Sequence, residues 1–261
     1  MKAALAKARE ANTKGLGAIV NYLGEEIADP KIAASHYPEY LELQRSINKS
    51  GIDGCVSVKL TQLGLGAHDS TAEDRALVLA EAAESMNQML WIDMEGSALT
   101  TRTLGIYGRV LEKHPQVGVA LQAYLKRTEA DINSLVEKGG KIRLVKGAYR
   151  ENADIAFKSR KLVTQNYIRL LRLLFEKCEY FAVATHDSRP IDEAERLQKD
   201  YPRAKFEFEM LRGIRDNKKL ELAKSGYRVV DYLPYGEEWY AYSFRRIKEH
   251  PSNVLLLLRS I

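Results

Sequence analysis

Short apolar or β-branched runs, bounded by Gly, Pro or charged residues, recur eight times along the 261 residues: at 15–23, 54–61, 88–95, 117–125, 141–149, 180–187, 205–212 and 227–235. Between them the apolar positions fall at helical spacing with charged faces opposite. Residues 70–87 form one such segment, opened by Ser70 as a cap with Glu73 three residues on, and the Leu-, Lys- and Arg-rich 152–177 forms another. Strands alternating with helices predict parallel pairing through right-handed crossovers, and eight such units predict an α/β chain closed as a (β/α)8 barrel. The length matches the roughly 250 residues usual for that barrel, so residues 1–261 read as a single domain. The rival, an open doubly wound sheet, needs a GxGxxG turn after its first strand, and Gly64 and Gly66 in TQLGLG are the nearest approach to one.

Composition narrows the function classes. With 45% hydrophobic and 29% charged residues the chain belongs with ordinary globular proteins. The net charge of +5 is spread in mixed sign along the chain, which argues against a nucleic-acid partner. The densest basic stretch (Lys158, Arg160, Lys161, Arg169, Arg172, Lys177) lies among leucines at helical spacing, as a solvated helix face does, and leaves peripheral membrane contact open. Cys55 and Cys178 are far apart with no CxxC, which suits a reducing cytoplasm. No charged leader with an apolar stretch is visible, and the longest purely apolar run, 254–258, is far too short to span a bilayer.

In such a barrel the chemistry sits at the C-terminal strand ends. Nearly every predicted strand delivers polar groups there: Lys59; Asp93 and Glu95; Gln122; Arg143 and Lys146; Thr185, His186 and Asp187; Glu207 and Glu209; Asp231 and Tyr232. Singly, each has a plain structural reading, His186 as a hydrogen-bonding core histidine and Asp93 as a helix cap. Arg143 and Lys146 on one strand face are placed to meet an anion, with Gly147 and Ala148 letting a ligand approach the backbone, although Gly147 serves equally to turn the chain. Arg245 and Arg246 project about 100° apart from the last predicted helix with Glu249 one turn on, a pair suited to grip a carboxylate or simply an exposed face with a local ion pair. The five histidines show no HExxH and no metal-ligand spacing, and GxSxG is absent. Lys59 is a candidate Schiff-base lysine, so a barrel lyase or aldolase stands as an alternative, beside a non-catalytic flavin-binding barrel.

The ordered segments VSVKLTQLGL (56–65), WIDMEGS (91–97), LQAYLKRT (121–128), RLVKGAYRE (143–151), ATHD (184–187), FEMLRG (208–213), YLPYG (232–236) and YSFRRIKE (242–249) resemble the monofunctional bacterial and archaeal proline dehydrogenases and the matching domain of the bifunctional proline utilization enzymes. The resemblance implies a distorted (β/α)8 barrel of the TIM type that holds FAD without a Rossmann domain, its last helix over the barrel mouth. It implies oxidation of L-proline to Δ1-pyrroline-5-carboxylate by hydride transfer to the flavin, as the first step of proline catabolism, with a quinone as electron acceptor. Arg143, Asp93 and Tyr232 match catalytic positions. Lys59, Arg245, Arg246, Leu211 and Tyr232 match substrate contacts. Met94, Gln122, Arg143, Val145, Lys146, Gly147, Ala148, Arg150, Thr185, His186, Asp187, Glu209 and Glu249 match flavin contacts. Asp187 stands where many relatives have Asn, and Glu209 where some have Gln. The chain is shorter at both ends than such relatives usually are. The expected location is cytoplasmic, with peripheral contact at the inner face of the cell membrane open.

Overall fold

The computed structural model describes residues 1–24 and 30–236. Among them are eight strands: β1 (Gly17–Tyr22), β2 (Gly54–Val58), β3 (Leu90–Ile92), β4 (Val117–Gln122), β5 (Lys141–Val145), β6 (Tyr180–Ala184), β7 (Lys205–Leu211) and β8 (Arg228–Tyr235). The helices are α1 (Lys2–Thr13), α2 (Pro30–Lys49), α3 (Leu60–Leu63), α4 (Asp69–Ser85), α5 (Ser97–Leu111), α6 (Thr128–Val136), α7 (Arg160–Lys177), α8 (Ser188–Asp200) and α9 (Asp216–Lys224). The strand order runs β1 to β8 in sequence and closes, with β1 parallel to both β2 and β8, so the predicted (β/α)8 barrel is the architecture observed. The last predicted helix, with Arg245, Arg246 and Glu249, lies outside the described residues.

All eight predicted strands are present, but β2 to β6 each stop three or four residues before the predicted end. The residues past those ends have other backbone duties. Lys59 precedes α3, Gly147 turns at φ +105°, and the Asp187 carboxylate caps α8 by accepting from Arg189 N–H at 3.1 Å. Two helix starts also differ. The cap position of α4 is His68 and not Ser70, which lies inside the first turn, and no side chain caps that end. Helix α7 begins at Arg160 and not at residue 152, because 155–157 bond to another segment: Lys126 N–H donates to Ile155 O at 2.9 Å and Phe157 N–H to Tyr124 O at 2.8 Å, around a Leu125–Ala156 bridge.

Two compact units divide the chain, one made of Met1–Leu90 and 210–236, the other of Trp91–Glu209. In the second unit the strand register sorts side chains into opposite faces. Val119, Ile142, Phe181 and Phe206 form one row and Leu121, Leu144, Val183 and Phe208 the next. Phe175 of α7 packs against Phe181 and Phe206, with ring centroids 4.9 and 5.1 Å away, so these apolar rows face the helices. The other face carries Ala120, Arg143, Ala182 and Glu207 in one row, then Gln122, Val145, Ala184 and Glu209. The apolar core therefore lies between sheet and helices, and the inner strand face holds buried charge beside small alanines.

In the first unit an ion cluster ties α9 to the sheet. Lys219, fully buried, meets Asp231 of β8 at 2.5 Å and Asp216 at 2.6 Å, and Arg212 approaches Asp231 at 3.6 Å. Asp231 thus turns toward α9. That corrects the expectation that it joins the polar groups at the strand ends, and strand alternation turns its neighbour Tyr232 the other way. Removing one partner of a buried pair costs about 3–5 kcal/mol, because it strands the other charge. Lys219→Met is expected to lose about 3 kcal/mol of unfolding free energy in denaturant titration, most of it recovered when Asp231→Leu is added. A loss near zero in the single variant would contradict the anchoring role.

Candidate active site

Arg143 organises the inner face of the second unit. Its side chain is 3% exposed, a burial that a permanently charged guanidinium tolerates only among counter-charges and hydrogen-bond acceptors. Asp93, one residue beyond β3, accepts from Nη1 at 2.8 Å, and the Glu209 carboxylate lies 2.6 Å from Nε. The Trp91 ring completes the setting, with the guanidinium carbon 4.5 Å from its centroid. Trp91 and Asp93 are two residues apart and so project to the same side of the chain, one beneath the cation and one at its edge. The indole leaves no room on β4 beneath it: a Cβ at Gly118 would stand 2.3 Å from the ring. The small residues Ala120 and Ala182 flank Arg143 in register.

Three carboxylates, Asp93, Glu207 and Glu209, thus accompany one guanidinium on this face. Burial raises the Glu209 carboxyl well above the ordinary range; the positive charge of Arg143 opposes this, and nearby Glu207 adds to it. The net result is a carboxyl that holds its proton past the pH at which free glutamic acid loses it.

A second polar group lies past the ends of β5 and β6. Lys146 Nζ donates to Asp187 Oδ2 at 2.6 Å and to Thr164 Oγ1 at 2.9 Å, while Arg189 Nη2 reaches the same carboxylate oxygen at 3.1 Å. Burial works against the Asp187 charge, but the Lys146 and Arg189 hydrogen bonds outweigh it and hold the carboxyl well below its usual range. Arg143 and Lys146 therefore serve separate carboxylates, and the expectation that they share one strand face is corrected: Lys146 lies just beyond β5, three residues from Arg143, and its side chain is 31% exposed.

Gly147 is explained without a ligand. Its φ of +105° disfavours any side chain, and a Cβ would come within 2.1 Å of the Tyr124 ring. The remaining predicted flavin positions fall around these two groups. Gln122 is buried and donates to Glu95 O at 3.0 Å, Met94 and Thr185 are buried, Val145, Ala148 and His186 are half-buried, and Arg150 is exposed.

In the first unit Lys59 is buried, and its Nζ donates to Asn21 Oδ1 at 3.3 Å. Asn21 pairs in register with Ser57, two residues before Lys59, which puts all three on one face of the chain. Leu211 and Tyr232 are neighbours on adjacent strands, where Arg212 N–H donates to Tyr232 O at 3.0 Å. The sequence reading missed Trp91, Asn21, Thr164 and Arg189 as supporting residues. Trp91 and Arg189 had a signal, standing two residues from Asp93 and Asp187; Asn21 and Thr164 are brought in by tertiary contacts that no local pattern announces.

No group of three or more His, Cys, Asp or Glu able to hold a metal is found among the described residues. A buried cation backed by an aromatic ring, with amide, hydroxyl and cationic groups at or beyond the ends of β4, β5 and β6, is a donor set that fits a flavin cofactor.

A carboxyl with a raised pKa takes up a proton on folding, so its stabilising contribution is complete below the ordinary value of 4.5 and drains away as pH climbs above it. Relative to Glu209→Gln, the wild-type protein is expected to lose stability steadily as pH rises from 4.5, measured by thermal unfolding across a pH series. A difference that stays constant with pH would contradict a retained proton.

The family model for proline dehydrogenase matches residues 4–256. The chain is 37% identical over 255 residues to proline dehydrogenase 2 of Bacillus subtilis (strain 168), covering 97% of this chain and 84% of that one. It is 36% identical over 256 residues to the proline dehydrogenase of Deinococcus radiodurans, with 95% and 82% covered. Among solved structures, proline utilization A from Bdellovibrio bacteriovorus, inactivated by N-propargylglycine, superposes with a TM-score of 0.85 at 25% identity over 96% of this chain. This chain spans 32% of that longer protein. On the strength of a family match over nearly its whole length, the chain belongs to the proline dehydrogenase family.

Proposed function

We propose that the protein oxidises L-proline to Δ1-pyrroline-5-carboxylate with FAD as its resident cofactor, and that a quinone takes the electrons onward. The observation that carries the reading is the buried Arg143 with its aromatic floor and carboxylate partners, in a chain of this family. FAD, when bound, supplies the acceptor for the hydride that leaves proline C5.

The chain's own residues then have positioning and electrostatic tasks. Arg143 provides a fixed positive charge whose direction is set by Asp93 and Glu209, suited to steady negative charge that builds on a neighbouring group. Lys146, Thr185, His186 and Arg150 supply donors and charge for the phosphates and sugar, with Met94, Gln122, Val145, Gly147 and Ala148 forming the walls. Asp187 is ionised and already engaged by Lys146, so on this reading it orients that lysine and does not itself meet a phosphate. Lys59, held by Asn21, joins Arg245 and Arg246 in binding the proline carboxylate; Leu211 and Tyr232 pack the pyrrolidine ring, and Glu249 contributes to cofactor binding. Asp93 acts through Arg143.

No helix among the described residues is long and apolar enough to cross a membrane. The exposed cations of α7, of which Arg169 and Arg172 are paired with Glu129 and Glu193, are the surface proposed for peripheral contact with an anionic bilayer.

Anaerobic addition of L-proline to the purified, FAD-loaded protein is expected to bleach its visible flavin bands. Bands that persist through saturating proline would refute the reading. Arg246→Met is expected to weaken proline binding by roughly 2–5 kcal/mol, the scale for breaking a desolvated charge pair. An unchanged KM for proline would remove Arg246 from the substrate clamp.

A further inference from the structure

Between β5 and α7 the chain runs fourteen residues, 146–159, without helix or strand, a length at which loops commonly carry function. It includes Lys146, Gly147, Ala148 and Arg150, four of the residues assigned above to the cofactor. Both ends of the loop are fastened to the segment after β4. At the start, Tyr124 N–H donates to Lys146 O at 2.9 Å and the Tyr124 ring fills the space beside Gly147. Toward the end, the bonds at Ile155 and Phe157 enclose a small apolar cluster of Tyr124, Leu125, Ala156 and Val163. The intervening stretch is largely exposed at Arg150 and at 152–154.

Glu151 ties that stretch down. Its carboxylate accepts from Ser97 N–H at 2.8 Å and from Ser97 Oγ–H at 2.5 Å. Ser97 is the first residue of α5, whose cap position is Gly96, with no side-chain cap and no acidic residue in its own first turn. The carboxylate that a helix start favours therefore comes from 54 residues away, and it satisfies an N–H that would otherwise lack an intrahelical partner. One side chain serves both partners: it completes the start of α5 and fixes the backbone next to Arg150. Gly96 leaves the approach open, since a Cβ there would come only as near as 3.9 Å to the Glu151 carboxylate.

We propose that Glu151 is a positioning residue, a latch that holds residues 148–154 on the first turn of α5 and so presets the Lys146–Arg150 backbone for the cofactor. The part concerning the cofactor rests on the function proposed above; the latch itself rests on the two hydrogen bonds. Glu151 needs no contact with the cofactor to act in this way. Its effect is to lower the ordering that binding would otherwise have to impose on an exposed loop.

The test is hydrogen–deuterium exchange by mass spectrometry on the full chain, FAD-free and FAD-loaded, for wild type, Glu151→Ala, Glu151→Gln and Ser97→Ala, with FAD affinity measured on the same preparations. Glu151→Ala is expected to speed exchange in two separated peptides together, 97–99 and 148–154, while β5 stays protected, and to weaken FAD binding roughly 2- to 30-fold, the range for losing a helix cap. Glu151→Gln keeps an acceptor and is expected to fall between, as is Ser97→Ala, which removes only the hydroxyl bond. Unchanged exchange at both peptides in Glu151→Ala overturns the latch. Faster exchange at both with FAD affinity unchanged upholds the latch but overturns its part in cofactor binding. Failure of proline to bleach the bound flavin in wild type would overturn the proposed function and leave the exchange result standing on its own.

Discussion

A guanidinium buried on the inner strand face is the constraint from which the second unit's architecture follows. Arg143 cannot shed its charge, so its surroundings must supply what water would have supplied. Asp93 and Glu209 approach its edge and Trp91 its face. The indole in turn requires glycine at 118, Arg143 stands in register between the small Ala120 and Ala182, and the apolar side chains of β4 to β7 turn to the helix layer. What results is a sheet with its oily face outward, under the helices, and its charges inward. Burial of that kind is costly for stability alone; under the proposed function it is preorganisation, a fixed charge set in place before the reaction needs it.

Other contacts support each unit in turn. Burial and nearby Glu207 push the Glu209 carboxyl upward while the Arg143 charge opposes them. Beyond β5 and β6, Lys146, Thr164, Asp187 and Arg189 make a polar cluster, and Glu151 fastens the loop that carries Lys146 and Arg150. In the first unit, the buried Lys219–Asp231 pair sets α9 against β8 and, through strand alternation, sets the direction of Tyr232.

Much of this was legible in the sequence, for identifiable reasons. Runs of β-branched and apolar residues at regular intervals made all eight strands visible, since strands covered by helices must be apolar over most of their length. Polar residues at their C-terminal ends marked the candidate site. What failed was detail set by tertiary contacts. The predicted strands ran on through Lys59, Asp93 and Lys146 because a propensity reading cannot see where the ladder ends. The 152–159 segment looked helical, yet its backbone bonds to 124–126 instead. Asp231 looked like a site residue and is a structural one, because the lysine that meets it comes from α9, twelve residues away. Trp91 was visible as part of a motif, but its place beneath Arg143 depends on the pairing of strands far apart in the chain.

Under the proposed function, Arg143 is a fixed charge arranged to stabilise the reduced cofactor. The most direct measurement is the two-electron reduction potential of the bound flavin, by spectroelectrochemistry, in wild type and Arg143→Met, with the proline dissociation constant determined alongside. The account predicts a potential more negative by about 30 mV or more in the variant, equivalent to at least about 1.4 kcal/mol of lost stabilisation, and little change in proline binding. An unchanged potential in a variant that still binds flavin would contradict it.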